Sequence, residues 1–142
     1  MNVKDLLRYN IEMTHGITTQ YLSDINDNEM FTRAVPGSNH LAWQLGHLIA
    51  SEHHLLSSVG VSMPDLPAGF AEAHSKETIG SDDPSAFLKK DEYLALMDTM
   101  HEAARTAIDA SSEEDLDTPS PEGLREWFPN KGSVLLLAGA HE

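Results

Sequence analysis

The sequence predicts an all-α protein, a four-helix bundle, on three observations. Apolar residues recur at helical spacing in successive stretches, no segment shows strand alternation closed by hairpin turns, and long connections rich in proline or glycine separate the helical stretches. A chain of 142 residues without internal repeat or low-complexity tract suits one domain, residues 1–142, around a single core. Helices joined in this way bury their apolar faces by packing as a bundle.

The first helix is expected from Val3 to about Ser23. Asn2 is its N-cap, with Asp5 three residues on, and Val3, Leu6, Leu7, Asn10, Met13, Ile17, Tyr21 and Ile25 form its stripe. Gly16 within it costs roughly 1 kcal/mol against alanine, and Asn26-Asp27-Asn28 ends it. Pro36-Gly37-Ser38 closes a polar connection, after which Ser38 or Asn39 caps a second helix that stops at Gly60. Prolines and glycines break any period from Val61 to Asp83, a long connection whose Met63, Leu66 and Phe70 should hold it against the protein. Asp83-Pro84 starts a short helical turn. The third helix follows from about Lys90 to Ala110, with Tyr93, Met97, Met100, Ala104, Ala107 and Ile108 buried. A second long connection, Ser111 to Lys131, is expected to hold a single-turn helix at Pro121 to Phe128, with Trp127 and Phe128 covering one end of the core. The fourth helix starts at Ser133. It reaches Glu142 without a capping signal, which suggests a version truncated from a longer parent.

Composition narrows the function. Nine Lys and Arg against 23 Asp and Glu give a formal net charge of −14, so no basic patch is available for phosphate backbones or anionic lipid, and neither nucleic acid nor membrane is an expected partner. No apolar run is long enough to span a bilayer and no signal-peptide core opens the chain, so a soluble cytoplasmic protein is expected. The absence of cysteine removes disulfides, thiolate metal sites and cysteine nucleophiles. No glycine-rich phosphate loop or Gly-x-Ser-x-Gly elbow is present.

The chemistry concentrates in the second helix, which holds four of the eight histidines. Leu41, Leu45, Leu48, Leu55 and Leu56 fall on one side; His40, Trp43, His47, Ser51 and His54 fall on the other, where a surface helix would carry Lys and Glu. That second side is expected to line a pocket. His40, His47 and His54 lie seven apart, within roughly 20° of one another but about 10 Å along the axis, too far for two to share one ion. A metal here must take one histidine from this helix and its other ligands elsewhere. His47, beside Gly46 and Trp43, is the candidate ligand; the usual alternative is a pocket histidine bonded to backbone. Trp43, Gln44, Ser51 and His54 are candidate pocket residues around it. His40 reads as a capping or surface group, and His15, His74 and His101 as surface residues. Glu52, among leucines, reads as an interface residue.

The run from Asn39 to Ile49 with Trp43-Gln44-Leu45-Gly46-His47, the Pro/Gly-rich loop after it and the terminal Ala140-His141-Glu142 resemble the DinB-like (DinB/YfiT) superfamily of bacterial proteins. The resemblance implies an up-down-down-up bundle, a homodimer, and a divalent metal, zinc or nickel, held by three histidines. One comes from a Trp-x-x-Gly-His motif on the second helix and two from a His-x-x-x-His pair on the fourth. His47 matches the first ligand and His141 the first of the pair; the second of the pair would lie four residues beyond His141, past Glu142. Zinc in a catalytic setting takes three protein ligands, so a site with two would hold its metal weakly or not at all. The resemblance further implies a metal-dependent transferase or hydrolase that uses a metal-bound thiol or water on a small-molecule substrate. The alternative is a non-enzymatic bundle of the stress response that binds a ligand or partner and uses its histidines structurally.

Overall fold

The structure, a computed structural model, describes residues 1–141. Its helices are α1 (Val3–Leu22), α2 (Leu41–Ser58), the one-turn α3 (Phe70–Ala73), α4 (Lys90–Ala110), the one-turn α5 (Glu113–Leu116) and α6 (Lys131–Ala140), with 3₁₀ turns at Glu29–Phe31, Lys76–Thr78 and Pro84–Ala86. No strand occurs among the described residues; a single antiparallel bridge pairs Pro119 with Asn130.

Local chemistry sets the helix ends. Asn2 accepts the Asp5 N–H at 2.9 Å while Asp5 accepts the Asn2 N–H at 3.0 Å, so two of the donors that a helix start leaves unpaired are satisfied. Asn130 and Ser133 do the same for α6. Neither Ser38 nor Asn39 caps α2. His40 does, its Nδ1 accepting the Trp43 N–H at 3.1 Å. The ring is fully buried, and its Nε2 donates to the Ser81 carbonyl at 2.9 Å, which pins the cap to the distant loop. At the other end of α1 the Lys90 ammonium donates to the carbonyls of Leu22, Ser23 and Ile25, cationic charge where the helix dipole is negative.

These contacts also fix direction. Lys90 at the start of α4 meets the end of α1, and Lys4 and Arg8 at the start of α1 meet Asp109 near the end of α4, so the two run antiparallel. Gly132 and Ser133 lie with Val3 and Leu6 while Gly139 lies against Asn10 and Ile11, so α6 runs parallel to α1. Ala42, Trp43 and Leu45 share a core cluster with Leu22, Tyr93 and Met97, and Leu56 shares the other with Leu7, Ile108 and Val134; α2 therefore runs with α4. The order is up-down-down-up, with α1 and α2 at opposite corners and α4 and α6 between them.

The third helix lies where its period placed it, and Tyr93, Met97, Met100, Ala104 and Ile108 are buried on it. Three expectations are corrected. The face of α1 turned to the core carries Leu7, Ile11 and Leu22, while Val3, Leu6, Met13, Ile17 and Tyr21 of the expected stripe are exposed. The helix is apolar on two sides, and the choice falls to the side on which Gly139, with no Cβ, lets α6 close onto Ile11. Residues 121–128 form hydrogen-bonded turns rather than a helix, and the single helical turn of that connection is α5. Phe128 packs on the core, but Trp127 is 75% exposed and covers nothing.

Candidate functional site

The site grows from one stretch of α2 and the loop that closes over it. Trp43 stacks on His47 one helical turn later, with ring centroids 4.7 Å apart and planes 12° from parallel. The indole is itself held: its N–H is shared between the Ser75 carbonyl at 3.1 Å and the Thr78 hydroxyl at 3.0 Å. His47 Nδ1 lies 3.1 Å from the His74 carbonyl. A carbonyl can only accept, so Nδ1 carries the hydrogen and the neutral ring keeps its lone pair on Nε2. Ligating histidines are oriented in this way, by donating the remaining ring N–H to a backbone oxygen.

His74, expected at the surface, is instead the buried centre of the loop, 2% exposed. Its Nδ1 donates to the Phe70 carbonyl at 2.7 Å, which leaves Nε2 to accept from the Tyr93 hydroxyl at 2.6 Å; that hydroxyl in turn accepts the Leu88 N–H at 3.3 Å. Burial, ahead of any neighbour, pulls His74 below the ordinary imidazole range and pushes the Tyr93 phenol up to about 12. The chain 70–78 thus folds against α2 and α4 through one neutral imidazole. Gly46 makes room for it: a Cβ there would overlap the His74 ring at Cδ2, Nε2 and Cγ. A lone glycine on a buried helix face was the sequence signal for this close approach, but the identity of the visiting group was not encoded near it.

His141 caps the end of α6 and is exposed. Desolvation first, and the neighbouring His47 second, hold its imidazole below the ordinary range. The other candidates are more scattered. Gln44 is exposed, donates to the Asn39 carbonyl at 2.7 Å and lines a separate cavity with Asp24 and Ile25. Ser51 is half-buried and His54 exposed. Glu52, expected at an interface, is buried within its own chain, 7% exposed. His15 and His101 are not surface groups either: they stack between α1 and α4 with centroids 4.2 Å apart, His15 meeting Asp98 and His101 meeting Glu12.

Among the described residues no three His, Asp or Glu side chains converge on a common metal position. The donor set therefore fits a divalent cation only in part: His47 offers an oriented Nε2, His141 is exposed at the end of α6, and Glu142 lies outside the described residues. No described helix is long and apolar enough to cross a membrane.

An up-down-down-up bundle with a Trp-x-x-Gly-His helix, closed by a loop packed into its glycine, defines a class of helical proteins. The DinB superfamily model matches residues 10–142, and the chain belongs to that superfamily. No curated protein and no solved structure matches the chain.

Proposed function

We propose that the protein is a divalent-metal-binding member of its superfamily, with His47 and His141 as ligands to zinc or nickel, and that it acts as a transferase or hydrolase on a small molecule. The carrying observation is the His47 Nδ1–H bond to the His74 carbonyl, which supports ligation by the opposite nitrogen. Trp43 holds the imidazole plane by stacking, and the Tyr93–His74 pair holds the carbonyl. A divalent cation there would supply the charge that makes a water or thiol acidic enough to react as an anion at neutral pH.

The test is metal per chain by plasma mass spectrometry on protein purified without chelator or His tag, repeated after titration with zinc and nickel. The expected result is uptake that His47→Ala and His141→Ala each abolish while the fold is kept. Unchanged metal content in His47→Ala would overturn the assignment. The incomplete ligand set favours one other reading, a non-enzymatic bundle that binds a ligand or partner. Thermal stability indifferent to chelator and to both metals would support that reading instead.

A further inference from the structure

The chain that leaves α2 passes along α4 and leaves a furrow between the two. Cavities of about 510 Å³ and 230 Å³ adjoin at Ser62, Ala103 and Thr106 and form one furrow between Asp98 and Ser111. At the helical rise those two residues lie about 20 Å apart along the axis, the length of about six extended residues. Gly60 and Val61 border the Ser111 end and Pro64 the Asp98 end, so the bordering segment runs antiparallel to α4. None of the lining residues belongs to the site around His47.

That segment is strand-like without a partner strand. Val61 is buried and Met63 packs on the core, while Ser62 between them is exposed, the alternation of a strand. Pro64 and Pro67 hold Met63 and Leu66 extended. Among the described residues, no backbone group of residues 62–66 bonds to other backbone. The N–H groups of Ser62, Met63, Asp65 and Leu66, with the carbonyls beside them, form an open edge of the kind that templates pairing with another chain.

The charge of the furrow is one-ended. At the Ser111 end the Lys131 ammonium sits on Asp115 at 2.7 Å, a balanced pair. At the other end the side chains of Asp98 and Glu102 are 65% and 60% exposed. Arg105 balances Glu102, but Asp98 has beside it only the imidazole of His15, no permanent cation. Between the ends Ala103, Ala107 and Ala110 leave room for side chains from outside.

We propose that the furrow docks an extended, cationic peptide segment of another protein, which pairs with the backbone of residues 62–66 and sets a Lys or Arg on Asp98. In such docking the main-chain bonds supply affinity and the alternate side chains specificity. The proposal stands whether or not His47 holds a metal.

Fluorescence polarisation with the acetylated peptide Lys-Ser-Val-Ser-Val-Ala, labelled through its C-terminus, tests this, with amide-resolved NMR to locate the peptide and circular dichroism to confirm the fold of each variant. The expected result is saturable binding with a Kd below about 1 mM, and shifts at the amides of Ser62, Met63, Asp65 and Leu66. The peptide with Glu in place of Lys should bind about tenfold more weakly, and the peptide N-methylated at alternate residues should not bind. Asp98→Lys should reverse the preference between the Lys and Glu peptides, Ala103→Gln should weaken both by filling the furrow, and Trp127→Lys, off the furrow, should change neither. Absence of saturable binding, equal binding of the N-methylated peptide, a preference that Asp98→Lys leaves unchanged, or amide shifts confined to residues 70–78 would each overturn the proposal.

Discussion

Gly46→Ala is the most informative substitution in the protein. The added methyl would enter the His74 ring, which is enclosed by Phe70, Phe87 and Tyr93 and has no free direction in which to move. Overpacking a closed core costs about 1–3 kcal/mol. Displacing the ring also breaks its bond to the Tyr93 hydroxyl and leaves a buried donor short of its acceptor, about 1–3 kcal/mol more. Helix propensity returns about 1 kcal/mol for alanine over glycine. The net is a loss of about 1–5 kcal/mol, on the order of 10 °C in Tm for a domain of this size. Urea denaturation at fixed protein concentration measures it. The double variant with His74→Ala decides the cause: with the ring gone the methyl has space, so the double variant should lose less than the sum of the two single ones, by about 1–3 kcal/mol. Additive losses, or a Gly46→Ala protein as stable as the original, would refute the packing of His74 into α2 and with it the orientation of His47.

Lys90→Met keeps the aliphatic stem but removes the ammonium from the carbonyls of Leu22, Ser23 and Ile25. A loss of about 1–2 kcal/mol is expected, with faster amide hydrogen exchange confined to the last turn of α1. His101 lies below the ordinary imidazole value because burial, then His15, disfavours its charge, while Glu12 opposes both. Its folded pKa is below the unfolded one near 6.5, so its contribution is full above that pH and lost as pH falls through the folded value. His101→Gln should therefore flatten the decline of stability between about pH 7 and 5, measured by denaturation at each pH; a steeper decline would reverse the sign.

What the sequence determined by itself is the part governed by local chemistry. The α4 boundaries, the Asn2–Asp5 box at α1 and the Asp83–Pro84 turn follow from period and caps that residues a few positions apart supply to one another. The Trp43-x-x-Gly46-His47 pattern was legible through its resemblance to the superfamily; the stack of Trp43 on His47 one helical turn later is seen only in the structure. Only the tertiary structure decided which side of α1 is buried, because the helix is apolar on two sides and the answer rests on Gly139 and Ile11, far apart in the chain. Tertiary contacts likewise decided between the capping and surface readings of His40, since its second nitrogen is anchored by Ser81 and the ring is buried as the cap of α2. They also took His74 out of a polar loop and buried it on Tyr93, with Gly46 providing the space. A polar residue is placed inside when both of its nitrogens find partners; for His74 one partner is the nearby Phe70 carbonyl, but the other is the distant Tyr93 hydroxyl, which no spacing within the loop announces.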